Sequence, residues 1–297
     1  FMFHVKQNSF AKEFFVLYIR TMKNKTIKDY SITKEDFELI YDDKYEMYQT
    51  KFNSFDMLDH YYKSENYISH TDAKRNWFEK IYQLVKNYTI NQKWKLIKKH
   101  INNNSISVLD IGCGTGDFLK HGINNLNVNG VGVEPNNEAA TISSSKHINV
   151  YNNIGELNND KYDVITLWHV LEHVTDLSEY FNFFKNHLNE NGTLIIAVPN
   201  FKSFDAHHYK QHWAAWDVPR HLWHFSKQSI KKLAEENNFK LIHIKPMYFD
   251  SFYVSLLSEE YKNGSKNILK AFYIGLVSNI KGIFSKEYSS HIYILKK

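Results

Sequence analysis

The 297 residues read as an α/β chain with an open, mostly parallel sheet, and two features carry that reading. Short apolar runs recur between helix-like stretches, at Ile106–Ile111, Val128–Glu134, Ile148–Tyr151, Tyr162–Trp168 and Thr193–Val198. Such runs suit strands covered on both faces, as parallel strands are. The first run ends in a glycine turn, Asp110-Ile-Gly112-Cys113-Gly114-Thr-Gly116-Asp-Phe118, which leads into a helix-compatible stretch. A strand that doubles back into a helix needs positive φ, and no Cβ where a ligand nears the backbone, and glycine meets both needs. Exposed N–H groups at the helix start are expected to favour an anionic or carboxylate-bearing ligand.

The elements follow in order. Residues 1–70 form a leader without clear periodicity, in which Phe37–Tyr41 and Tyr45–Tyr48 suit a hairpin around Asp42-Asp43-Lys44. Asp72 is a good N-cap, and Trp77, Ile81, Leu84 and Tyr88 recur at helical spacing. Trp94, Ile97 and Ile101 suggest a second helix after Asn91, with the aromatic stripe as core. Beyond the glycine turn, the run from Val128 ends in Glu134, where a carboxylate suits ribose hydroxyls. Asp176 and Glu179 form a capping box for a helix that Asn191-Gly192 is expected to end. A helix follows Ser226, a strand spans 241–244, two aromatic-rich helices lie in 249–285, and Ser290–Leu295 alternates as a last strand.

The glycine spacing separates two kinds of cofactor. A dinucleotide fingerprint reads G-x-G-x-x-G, whereas here glycines stand at 112, 114 and 116 behind Asp110. This D-x-G-x-G-x-G resembles the first motif of the class I S-adenosylmethionine (SAM) methyltransferases. It is nearest to the small methyltransferases that include the ubiquinone-pathway O-methyltransferases. His169-Val-Leu-Glu-His173-Val174 also resembles that family's x-x-V-L-E-H-V segment. The resemblance implies a three-layer α/β sandwich with a mostly parallel, seven-stranded Rossmann-like sheet and an antiparallel last strand. It implies SAM as cofactor and a domain over 71–297. The cofactor residues it points to are Asp110, Gly112, Cys113, Gly114, Gly116, Glu134, Pro135, Trp168 and His169. Asn136 falls beside the adenine in such proteins, and Asn153 and Glu156 are further candidates near it. Relatives often carry a cysteine-bearing zinc ribbon in the leader. Those cysteines are absent here, so the leader is expected to be a metal-free remnant packed on the main domain.

Residues 201–225 are long for a connection and read as a lid on the acceptor side, with a structural corner as the alternative. Asp205 to Phe225 holds His207, His208, His212, His221 and His224, five of the sixteen histidines, with Trp213, Trp216 and Trp223. Histidine suits proton transfer near neutral pH, tryptophans could wall a flat acceptor, and Arg220 could bind an acidic group. His221 is the first candidate base and His173 the second; no paired spacing suggests a metal site. The reaction expected is methyl transfer to an O, N or C atom of a small molecule. An RNA or protein methyltransferase and a SAM-binding protein without catalysis stay open, while the glycine spacing disfavours a dinucleotide oxidoreductase.

Composition narrows the partners. A net charge of +5 with scattered lysines permits anionic substrates and does not argue for nucleic acid, which is not an expected partner. One cysteine excludes an intrachain disulfide, which makes the cytoplasm the default. The apolar run Phe14–Ile19 is too short to span a bilayer, and no transmembrane segment is expected. The helical insertion 249–285 could cover the site, form a homodimer contact or touch a membrane surface, with ordinary packing as the alternative.

Overall fold

The computed structural model describes residues 23–52, 61, 77–101 and 105–297. Phe14–Ile19 and Asp72 lie outside the described residues. The chain divides into two compact units, each woven from three stretches. One takes residues 63–198, 231–246 and 291–297, and the other takes 1–62, 199–230 and 247–290.

The larger sheet has seven strands. They are β4 (Ile106–Ile111), β5 (Val128–Val133), β6 (Asn149–Tyr151), β7 (Tyr162–Trp168), β8 (Leu188–Pro199), β10 (Lys240–Pro246) and β11 (Ser290–Lys296). Their order is β10-β11-β8-β7-β4-β5-β6. The pairs β8/β7, β7/β4, β4/β5 and β5/β6 are parallel, and β10/β11 is antiparallel. The strand order reverses at β4, with β5 on one side and β7 on the other, so the crevice beyond the carboxyl ends of these strands is where open α/β sheets bind ligands. Val108, Leu109, Val164, Ile165, Ile195 and Ile196 are all fully buried, as a sheet covered on both faces requires.

Three helices of this unit bear on the site: α1 (Trp77–His100), α2 (Asp117–Leu126) and α3 (Asn137–Ser145). The two helices expected on either side of Asn91 are one. The Asn91 side chain donates to the Asn87 carbonyl at 2.9 Å, a bond made inside the helix, and nothing breaks the backbone there. Trp94 and Ile97 are buried, but Leu84 and Tyr88 are 69% and 53% exposed, so the stripe fills core at the first pair and faces solvent at the second. Trp94 stacks on Phe118 with centroids 4.5 Å apart and donates its indole N–H to the Phe118 carbonyl. Gly122 permits this, since a Cβ there would lie 2.2 Å from the Trp94 ring.

The helix begun at Asp176, α4 (Leu177–His187), stops earlier than Asn191-Gly192. Leu188 pairs with Tyr162 and Thr193 with Val164, so residues 189–192 form a bulge within β8 in place of a helix terminus.

The second unit centres on a four-stranded sheet, β1 (Lys25–Lys28), β2 (Asp36–Asp42), β3 (Met47–Thr50) and β9 (Trp223–His224), in that order. The β2–β3 pair is the expected hairpin, with Tyr41 opposite Tyr48. Helices α5 (Phe204–Tyr209), α7 (Asp250–Asn263) and α8 (Ile268–Ser285) complete it; α6 (Lys227–Glu236) follows β9 in the chain. Its core joins Leu39, Tyr48, Trp213, Trp216, Val254 and Ile274. Among the described residues α8 alone is long and apolar enough to cross a membrane.

Candidate functional site

The site is built where β4 turns into α2. Gly112, Gly114 and Gly116 all have positive φ, at 70°, 54° and 78°. Two of them also make room for neighbours. A Cβ on Gly112 would lie 2.3 Å from Val170, and one on Gly116 would lie 2.3 Å from the Ser143 hydroxyl. The segment after β7 is therefore seated against the turn through Val170, a contact no local pattern in the sequence announces. Gly114 differs, because nothing lies within 4 Å of where its Cβ would be. Its bare backbone faces open space.

The amides of the turn itself have partners within the protein. Gly112 and Cys113 both donate to the Val133 carbonyl, at 2.7 and 3.0 Å. Gly116 donates to the Cys113 carbonyl at 3.0 Å, and Gly114 donates to the Glu134 carboxylate at 2.8 Å. These four donors are used within the protein. What the turn presents to a ligand is its shape and close approach.

Glu134 ends β5 and is buried. One carboxylate oxygen takes the Gly114 amide and the other takes the Asn136 amide at 3.0 Å. Burial raises its pKa, while the two amides act to lower it. Each oxygen keeps a further lone pair, so the group can still accept from a vicinal diol. Pro135 follows, and Asn136 caps α3 through the Ala139 amide. Asn153 and Glu156 lie at the end of β6 and bond each other at 2.6 Å, Asn153 also capping the Gly155 amide.

Asp110 is almost fully buried at the end of β4 and accepts from the Thr166 hydroxyl at 2.5 Å. Burial pushes its pKa up to about 7, against the Thr166 bond and the Lys93 charge. Lys93, from α1, also lies over the Trp168 ring, 4.1 Å from its centroid. The sequence reading missed Lys93, which sits on a helix face patterned like any surface. The Trp168 indole N–H is buried without a hydrogen-bond partner, and the ring meets Phe118 edge-on at 5.8 Å. The Cys113 thiol is buried and pushed up to about 12 by burial, so it is neutral at physiological pH. His169 takes φ 60°, and its Nδ1 lies 3.2 Å from the fully buried Glu172 carboxylate. His173 follows within the same turn, its amide bonded to the Val170 carbonyl.

An open-faced glycine, a diol-accepting carboxylate and an unpaired indole donor fit a nucleoside with a polar tail. All nine residues expected to hold the cofactor stand on the strand ends and turns of this one unit, at β4, β5 and β7.

The 201–225 segment belongs to the other unit. Trp213 and Trp216 are buried and meet edge-on at 5.3 Å, filling core instead of walling an acceptor. Arg220 is also buried, and it pairs with Asp29 at 2.9 Å and with Asp217 at 2.7 Å, so its charge is spent within the fold. Burial alone would raise the Asp29 carboxyl; the Arg220 bond and the Thr33 amide outweigh it and hold the group well below the usual carboxylate range. Asp205 is buried too and accepts from Trp213 Nε1, Ser278 Oγ and Ser289 Oγ at 2.6 to 2.8 Å. His221 lies 2.9 Å from the Ala215 carbonyl through Nδ1 and 3.9 Å from Asp217 through Nε2. A carbonyl can only accept, so Nδ1 carries the proton and Nε2 is the basic atom of the neutral ring. His224 is held neutral by burial, its Nε2 2.9 Å from the Thr50 hydroxyl.

Comparison with known proteins agrees with the glycine turn. A family model described as "Methyltransferase domain" matches residues 67–244, more than half of the chain. The ubiquinone biosynthesis O-methyltransferase of Rickettsia typhi is 28% identical over 198 residues, 59% of this chain and 79% of the relative. Among solved structures, phosphoethanolamine N-methyltransferase 2 of Haemonchus contortus, in complex with SAM, superposes with a TM-score of 0.52 at 15% identity, covering 88% of this chain and 63% of that one. A mycolic acid cyclopropane synthase in complex with S-adenosylhomocysteine gives 0.51 at 13% identity, covering 82% and 95%. At such identities the two structures speak for the fold alone.

Proposed function

The chain belongs to the family of methyltransferase domains, which use SAM, and from that premise we propose that it moves a methyl group from SAM to an O, N or C atom of a small molecule. SAM supplies a methyl carbon already activated by its sulfonium, so the protein's main task is to hold donor and acceptor in line. The observation that carries this reading is the bond between Glu134 and the Gly114 amide, which sets a buried carboxylate beside the one turn glycine that faces open space.

In this reading Glu134 holds the ribose hydroxyls. Gly112, Cys113, Gly114 and Gly116 let the ligand lie against the backbone. Pro135 borders the adenine, and Trp168 and His169 line the end of β7. Asp110 shapes the turn from beneath through Thr166. A base is required only where the acceptor must lose a proton. His221 is the first candidate, because its Nδ1 bond to Ala215 leaves Nε2 as the basic atom; His173 is the second. The Rickettsia relatives support a small-molecule O-acceptor, and the single buried thiol is compatible with the cytoplasm.

Calorimetry of the full chain with SAM and S-adenosylhomocysteine tests the binding, and a metabolite screen with SAM consumption as readout tests the transfer. Absence of binding by both ligands would overturn the reading.

A further inference from the structure

SAM and its product both end in an amino acid, so a site that holds the nucleoside must also meet a carboxylate. The glycine turn is poorly equipped for that. The amides of Gly112, Cys113, Gly114 and Gly116 are given to acceptors within the protein. Asp110 and Glu134 stand close enough to act on each other, and both would repel a third carboxylate. Asp117 opens α2 with a further negative charge, and it holds Lys86 at 2.5 Å and Lys146 at 2.6 Å. Those two lysines are committed to it.

Lys93 and Trp168 supply what the turn lacks. Both lie in the unit that carries the turn. Lys93 comes from α1, and its Nζ lies 4.1 Å from the centroid of the Trp168 ring, at the carboxyl end of β7. An aromatic face attracts a cation, so the ring steadies the ammonium there. The ammonium acts on Asp110 without neutralising it, since that carboxyl takes its hydrogen bond from Thr166 and stays raised to about 7. Trp168 adds a second donor. Its indole N–H is buried without a hydrogen-bond partner, although a buried indole N–H ordinarily finds one. Trp94 and Trp213 do so, at the Phe118 carbonyl and the Asp205 carboxylate. The N–H of Trp168 lies in the ring plane and the ammonium lies over the ring face, so the two donors flank one corner of the site. A carboxylate has two oxygens, each able to accept.

We propose that Lys93 binds the α-carboxylate of SAM as a charged donor, with the Trp168 indole N–H as the second donor. This rests on the SAM reading above. Both are positioning residues. They fix the amino-acid end of the cofactor while Glu134 fixes the ribose, so the sulfonium between them is held from two sides.

Two ligands separate the carboxylate from the rest. S-adenosylhomocysteine and 5′-methylthioadenosine share the nucleoside and the sulfur, and the first alone carries an amino acid. Calorimetry of the full chain measures both. Lys93→Met keeps the reach of the side chain without its charge. It should weaken S-adenosylhomocysteine at least about tenfold and change methylthioadenosine by less than about twofold. Lys93→Arg should recover most of the loss, because a guanidinium also pairs with a carboxylate. Trp168→Phe keeps an aromatic face for the ammonium and removes the N–H, and it should weaken S-adenosylhomocysteine about three- to tenfold with methylthioadenosine kept. Unchanged affinity there would remove the second donor. Equal loss of both ligands in Lys93→Met, or loss of neither, overturns the proposal and leaves the SAM reading standing. A wild-type chain that binds neither ligand overturns the SAM reading and the proposal together.

Discussion

The carboxylate of Glu134 accepts the main-chain amide of Gly114 at 2.8 Å, joining the end of β5 to the turn after β4. The bond holds the glycine that faces open space, so the residue proposed to grip the ribose also sets the backbone that the ligand lies against.

Glu134→Ala is therefore expected to weaken SAM binding at least tenfold, since losing a charge-assisted hydrogen-bond pair costs about 1.5–3 kcal/mol per bond. Glu134→Gln should bind nearly as poorly, because its NH₂ would face an amide donor. Calorimetry measures both, and unchanged affinity would remove the ribose assignment.

This tie was half legible in the sequence. The glycine spacing and the acid closing the next strand are local signals, and they located the turn and Glu134. That the acid bonds the turn is a contact across 20 residues, and the fit of Val170 against Gly112 spans 58. Periodicity cannot report such contacts. The same holds for Trp213 and Trp216. They look like lid aromatics until β1 to β3, from far earlier in the chain, supply the core they fill. Asn91 and Asn191-Gly192 misled in another way. They favour helix ends intrinsically, and a side-chain bond in α1 and strand pairing in β8 override that preference.

The two outer turn glycines should respond differently. Gly116→Ala combines strained φ with a clash against Ser143 and Ile148 and is expected to destabilise by about 2–4 kcal/mol. Gly114→Ala meets nothing and should cost only about 1 kcal/mol for its backbone, yet place a methyl where the ligand approaches. Thermal melts and SAM titration of the pair check this: the first variant fails on stability, the second on affinity.

Asp110 carries a pH signature. Burial raises its folded pKa to about 7, well above the usual carboxylate range, so burying the carboxyl is tolerated while it is protonated and becomes unfavourable as pH rises towards 7. Asp110→Asn removes that penalty and can retain the Thr166 bond. The variant's advantage in melting temperature should be small at pH 4, grow between pH 4 and 7 and level off above, at a limit of about 4 kcal/mol. A gap that does not change with pH would contradict the raised pKa.

Arg220→Ala is expected to cost about 3–5 kcal/mol, because it leaves Asp29 buried without its cation. Chemical denaturation measures the loss. SAM affinity per folded molecule should be unchanged, since Arg220 serves its own unit.

His221→Asn separates catalysis from architecture. Its amide can keep the bond to the Ala215 carbonyl while removing the basic Nε2. With an identified acceptor, turnover should fall about a hundredfold or more with SAM affinity and melting temperature retained. Retained turnover would leave His221 a purely architectural role.

Among the described residues strand β11 comes last in chain order, yet it stands inside the sheet, between β10 and β8. Spatial order and order of synthesis are opposed. During translation β8 waits about ninety residues for its neighbour, and until β11 arrives the edges of β8 and β10 present unpaired amides and carbonyls. The sheet cannot close piecemeal from the N-terminus, because the strand that joins β8 to β10 is the last to be made. A nascent chain of this kind has most need of chaperones just before β11 emerges, and that interval is when it is most exposed to aggregation.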